Sequence, residues 1–114
     1  MKTLRVIQLC GQTVEVIEAS EDECAELIGK DGVTIDTEGK VYIKAGLRAD
    51  RHLDTYVHEL LHVMFNLTGI GGALQGFLLM NDKRFAKVEE GIIRLLAPAL
   101  ITTFRAAGLM SEAA

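Results

Sequence analysis

Two histidines four residues apart, with a glutamate directly after the first, stand mid-chain as His58-Glu59-Leu60-Leu61-His62, an HExxH pattern. On an α-helix, residues four apart share a face one turn apart, so both imidazoles can converge on one metal ion. Glu59 lies about 100° round the helix from His58, within reach of a water held by that metal. The neighbouring residues give the helix phase. Leu53, Tyr56, Val57, Leu60, Met64 and Leu67 recur at three- and four-residue intervals and predict a buried stripe. At about 100° per residue, His58 and His62 fall about 140–180° from Leu53, beside Thr55 and Phe65 and away from that stripe.

Two imidazoles leave a site that exchanges water one protein ligand short. A second helical pattern supplies the candidate. Phe85, Val88, Ile92, Ile93, Leu96 and Leu100 share one arc, and Glu89 falls in its middle. A carboxylate buried there without a cation or a proton is costly, and a metal held by the two histidines answers that need. Glu89 is therefore the expected third ligand. Glu90 is the alternative, although its phase turns it toward Lys87 and Arg94 and an ordinary ion pair with Arg94. Asp54, one turn before His58, and Asp82 are the remaining carboxylates; Asp54 equally suits a supporting or helix-capping role. Two nitrogens and a carboxylate favour Zn²⁺, and Mn, Co or Ni suit the same donors.

The elements that must hold these groups follow from pattern and punctuation. Leu4–Leu9 and Thr13–Ile17 flank Cys10-Gly11-Gln12 and predict a β-hairpin. Ser20 with Glu23 three residues on forms a capping box, predicting a helix over Glu21–Ile28 that stops at Gly29. Val33–Asp36 and Lys40–Lys44 flank Thr37-Glu38-Gly39 as a second hairpin. One helix is expected from Ala49 or Asp50 to Leu67. Another is expected from about Asp82 to about Ala107, with a break or kink at Pro98. Between them Thr68–Gly76 carries four glycines and reads as a mobile loop. The class is α+β: a small, mostly antiparallel sheet in the N-terminal half packed on the HExxH helix and a C-terminal glutamate-bearing helix.

Size and charge narrow the function classes. A chain of 114 residues suits a single domain over 1–114. A formal net charge of −4 leaves no basic face for nucleic acid. The apolar runs are too short and interrupted to span a bilayer. The first residues run into a strand pattern rather than an apolar leader, and Cys10 and Cys24 lack the spacing of a metal knuckle or redox pair. The expectation is a cytoplasmic chain with free thiols. Ile101, Phe104 and Leu109, on and just beyond the last helix, either pack within the domain or offer a surface for self-association or a partner.

The stretch Thr55–His62, together with Val88-Glu89-Glu90-Gly91-Ile92-Ile93, resembles the zincin metallopeptidases. With Glu89 twenty-seven residues after His62, it is similar to the compact gluzincins, including ImmA/IrrE-type peptidase domains and small phage-encoded relatives. The resemblance covers about half the chain. It implies a zinc peptidase of narrow specificity acting on a peptide or protein substrate. His58, His62 and Glu89 would hold Zn²⁺, Glu59 would serve as general base, and the strand at Val41–Lys44 could pair with an extended peptide. His52, Tyr42 and Tyr56 are the His and Tyr candidates for an electrophile, and none is convincing. The alternative is a non-catalytic binding or regulatory module that keeps a zinc site to brace two helices.

Overall fold

The computed structural model describes residues 1–110. Strands β1 (Lys2–Leu9) and β2 (Gln12–Ala19) form the first expected hairpin. Its two-residue connection holds Cys10 at φ 52° and Gly11 at φ 75°, the paired positive dihedrals that a tight type I′ hairpin turn requires. Strands β3 (Gly32–Ile35) and β4 (Lys40–Lys44) form the second hairpin across a 3₁₀ turn at Asp36–Glu38. The hairpins join through β2 and β4, which pair in parallel with Val16 opposite Val41. The order is β1-β2-β4-β3, so the sheet is mostly antiparallel, β4 is an interior strand and β3 an edge.

Strand alternation divides the apolar residues between two faces. Val14, Val16, Val41 and Ile43 meet Val63 of helix α1 (Ala49–Leu67), with Tyr56, Leu60 and Leu67 packed beside them. Ile17, Ala19 and Tyr42 point the other way and are covered by Cys24 and Leu27. Burying each large aliphatic side chain contributes about 1.5–3 kcal/mol.

The helix expected over Glu21–Ile28 does not form. The capping box itself does: Glu23 N donates to Ser20 Oγ at 3.3 Å, and Ser20 N donates to Glu23 Oε1 at 3.0 Å. Only a 3₁₀ turn at Ala25–Leu27 follows. Residues three apart eclipse in a 3₁₀ turn, which brings Cys24 and Leu27 together onto the sheet, and the chain then turns at Gly29 toward β3. A local cap signal yields to the short span the chain must cover.

The glycine-rich segment departs in the opposite direction. Most of Thr68–Gly76, expected as a mobile loop, lies in helix α2 (Ile70–Leu78). Each glycine inside a helix costs about 1 kcal/mol relative to alanine, so packing has to supply the difference. Gly71 is buried against α1, where an added Cβ would lie 3.2 Å from the Phe65 carbonyl oxygen. Helix α3 (Asp82–Ala106) starts at an Asn81 cap, whose side chain accepts from Arg84 N at 2.8 Å. It continues through the exposed Pro98 without the expected break, although that residue cannot donate a backbone hydrogen bond.

The single stripe read on α1 is two stripes. Tyr56, Leu60, Val63 and Leu67 face the sheet, while Val57 and Leu61 pack with Ile93, Ala97, Leu96 and Leu100 of α3. Met64, placed in the stripe by sequence, is exposed, and Leu61, Val63 and Phe65 are buried instead. The average phase was right for a helix with one neighbour, whereas α1 has several. Among the described residues, no helix is long and apolar enough to cross a membrane.

Candidate metal centre

The packing of Val57 and Leu61 on Ile93 and Ala97 fixes where α3 lies along α1. Glu89 is one turn before Ile93 and Glu90 follows it, so both reach the side of α1 that carries the histidines. There His58 Nε2 lies 2.9 Å from Glu90 Oε1, and His62 Nε2 lies 2.8 Å from Glu90 Oε2. One carboxylate thus spans both imidazoles. Glu89 Oε2 lies 2.7 Å from the other ring nitrogen of His62, Nδ1. The two rings stand edge to face with centroids 5.2 Å apart.

Among the described residues, one group has donor atoms converged for a metal: His58, His62 and Glu90, all within 4.8 Å of one another. Glu89, placed third by helix phase, stands instead on the far side of the His62 ring. The phase argument located its face correctly, since Phe85 and Ile93 on the same side are buried. Helix phase alone does not register which of two adjacent carboxylates comes to rest between the histidines. The expected Glu90–Arg94 pair also forms, at 3.2 Å, so Glu90 meets both histidines and Arg94. Asp54 lines the same cleft but stands outside the cluster. Asp82 accepts from Gln75 Nε2 at the start of α3.

The donor set fits a divalent transition metal: two imidazole nitrogens and a carboxylate, with Glu59 and Glu89 adding negative charge nearby. The same carboxylates govern His62. Burial alone would lower its pKa, but the hydrogen bond to Glu89 and the charges of Glu59 and Glu90 outweigh it and hold the imidazole above its ordinary value. For Glu90, burial pushes upward and is overcome by His58, Arg94 and His62, leaving its carboxyl below the usual range.

Glu59 occupies the next face of α1, buried against β3. Thr34 Oγ1 donates to Glu59 Oε1 at 2.9 Å and also contacts the Glu59 carbonyl oxygen at 3.3 Å. Room for this approach comes from Gly32, where a Cβ would lie 2.6 Å from Thr55 Cγ2 and 3.0 Å from Glu59 Cγ. Thr34 and Gly32 had no signal in the sequence, because the contact joins residues twenty-five apart across two elements. Glu59, His58, His62, Glu89 and Glu90 all border one open cleft of about 1100 Å³, walled by β3 on one side and α2 on the other, with Phe65 and Phe85 beside them.

The strand beside this cleft is β3, not the expected Val41–Lys44. Both edges of β4 are taken, by β2 and β3, so it has no ladder to offer a peptide. None of the three electrophile candidates borders the cleft. Tyr42 is buried on the far face of the sheet, Tyr56 packs on its near face, and His52 lies 3.7 Å from Glu18. The cations lining the cleft are Lys30, Arg51 and Arg94, with Arg51 paired to Asp31. Of the C-terminal apolar residues considered for docking, Ile101 on α3 is buried within the fold, while Phe104 on α3 and Leu109 beyond its end are exposed.

Compared with protein-family models, curated proteins and solved structures, the chain finds no match in any of the three.

Proposed function

We propose that this chain is a zinc-dependent peptidase of narrow specificity, in which His58, His62 and Glu90 hold the metal and Glu59 is the general base. The observation that carries the reading is the convergence of both Nε2 atoms on one Glu90 carboxylate, beside Glu59 in an open cleft. When bound in such a site, zinc supplies Lewis-acid polarisation of a carbonyl and acidification of a water. The remaining steps belong to the protein. Glu59 takes the proton of the attacking water and returns it to the leaving amine. The Thr34 hydroxyl, bonded to one carboxylate oxygen of Glu59, holds that side chain while leaving its second oxygen to work.

An extended peptide would lie along β3, whose outer edge pairs with no strand among the described residues. Main-chain hydrogen bonds to such an edge hold a substrate independently of its side chains. The developing negative charge on the scissile carbonyl would face Arg94, the cation nearest Glu90. Both cysteines are free, which accords with a cytoplasmic setting.

The test pairs metal analysis with peptide cleavage. Chelator-free protein should carry about one zinc per chain and cleave members of a mixed peptide library. The Glu59→Gln protein should keep the zinc and lose cleavage. Unchanged cleavage by Glu59→Gln would remove Glu59 as base, and a parent protein that takes up no offered zinc would overturn the reading. Zinc binding without cleavage of any peptide or protein offered would favour the second reading, a zinc site that braces α1 against α3. That reading is supported by the absence of His or Tyr electrophiles from the cleft lining.

A further inference from the structure

We infer that Glu89 is a positioning residue: it accepts the Nδ1 proton of His62 and thereby presents the Nε2 lone pair of that ring to the metal, with Gly71 of α2 making room for its carboxylate. This deepens the zinc-site reading and rests on it.

Two adjacent glutamates of α3 grip opposite nitrogens of one imidazole, Glu89 at Nδ1 and Glu90 at Nε2. Only Glu90 also reaches His58, so only Glu90 belongs to the converged donor set. A neutral imidazole has one N–H and one lone pair, and the nitrogen that keeps the proton cannot bind metal. An ionised carboxylate only accepts. With Nε2 and Glu90 both turned to a metal, Glu89 at 2.7 Å from Nδ1 is the acceptor that keeps the ring's one proton there and leaves the Nε2 lone pair to coordinate. It also fixes the ring plane, since His62 can rotate only by giving up this bond.

The other oxygen of Glu89 explains a glycine. Oε1 lies 3.2 Å from where a Cβ on Gly71 would stand, and the Phe65 carbonyl oxygen is equally close on another side. A Cβ at position 71 would push the carboxylate or the first turn of α2 aside by a few tenths of an ångström. The glycine-rich segment thus becomes a wall against which Glu89 is set, linking α2 through Glu89 to His62. Carboxylates that orient a ligating histidine typically contribute about 10–100-fold in metal affinity.

The experiment measures zinc affinity by competition with a chromogenic chelator for the parent protein and for Glu89→Gln, Glu89→Ala, Glu90→Gln and Gly71→Ala. It adds the visible spectrum of each Co²⁺-loaded form and ¹⁵N-edited NMR of the His62 ring in the zinc-loaded parent. Glu89→Gln and Glu89→Ala should still bind one zinc per chain, about 10–100-fold more weakly, with the smaller loss in Glu89→Gln, which keeps an acceptor. The Co²⁺ spectrum of Glu89→Gln should retain the parent band pattern, because the ligands are unchanged, whereas Glu90→Gln should alter or abolish it. The NMR should show the proton on Nδ1, and Gly71→Ala should weaken zinc in the same direction as Glu89→Gln. Parent-like affinity in Glu89→Gln would overturn the inference and leave the zinc site standing. A Co²⁺ spectrum changed by Glu89→Gln but not by Glu90→Gln would overturn it by making Glu89 the ligand. A parent protein that binds neither metal would overturn the zinc reading itself, and the inference with it.

Discussion

Glu59 is taken almost wholly out of water, at 8% exposure, and its bonded partner is a hydroxyl rather than a cation. Leaving a buried acceptor short of one hydrogen bond costs about 1–3 kcal/mol. Thr34→Val, which keeps the shape and removes the hydroxyl, should therefore lower unfolding stability by about that amount in urea denaturation. It should leave zinc stoichiometry unchanged and reduce kcat, since the base is no longer held. Arg94→Ala tests the other end of the mechanism. Loss of a donor aimed at a developing oxyanion costs about 10²–10³-fold in kcat, and a well-exposed arginine should fall at or below the lower limit. Steady-state kinetics on a cleaved peptide would read this, and an unchanged kcat would remove Arg94 from the mechanism. The motif residues were legible because their types and spacing are local. Thr34, Gly32 and the placement of Glu90 between the two histidines were not, because each depends on where a distant element comes to rest.

At the scale of elements, α1 is enclosed by the sheet, by α3 and by the edge strand β3, and the cleft lies where the last two diverge. Gly32 sets the distance between β3 and α1. Gly32→Ala places a methyl group 2.6 Å from Thr55 Cγ2, so either the Thr55 side chain or the two elements must shift. Overpacking of this kind costs about 1–3 kcal/mol and should appear as a lower denaturation midpoint with an unchanged slope. The edge role of β3 has its own consequence. Peptide inhibitors N-methylated at alternate residues should lose affinity in one register and keep it in the other, because successive backbone groups of a strand point to opposite edges. Equal affinity in both registers would exclude strand pairing. The expected binding strand, β4, failed for a topological reason: hairpin signals reveal which strands are neighbours in sequence, but the parallel β2–β4 pair that buries β4 joins strands separated by a whole crossover.

Across the whole molecule, the carboxylates around His62 are expected to make stability depend on pH and, on the proposed reading, on metal. Without zinc, the folded-state pKa of His62 is raised above about 6.5. The stability this contributes is fully present below the unfolded value and is lost as pH rises through the folded one. Metal-free protein should melt at progressively lower temperature as pH increases through that window, and His62→Gln should flatten the profile. Zinc reverses the trend, because coordination needs the unprotonated nitrogen, so the increment in melting temperature on adding zinc should grow with pH. Calorimetry with and without chelator over this range would check both slopes, and parallel profiles would refute the coupling. The α+β class, both hairpins, the bounds of α1 and α3 and the HExxH helix follow from the sequence by itself, since alternation, helical periodicity and turn chemistry act over a few residues. The tertiary structure alone decided that the segment after Ser20 makes a 3₁₀ turn despite its capping box, and that the glycine-rich stretch folds as α2. It alone decided that Glu90 rather than Glu89 stands between the histidines. For α2 the packing of Gly71 on α1 outweighed a local preference of about 1 kcal/mol per glycine, and for the glutamates the seating of α3 on α1 decided what helical periodicity alone does not.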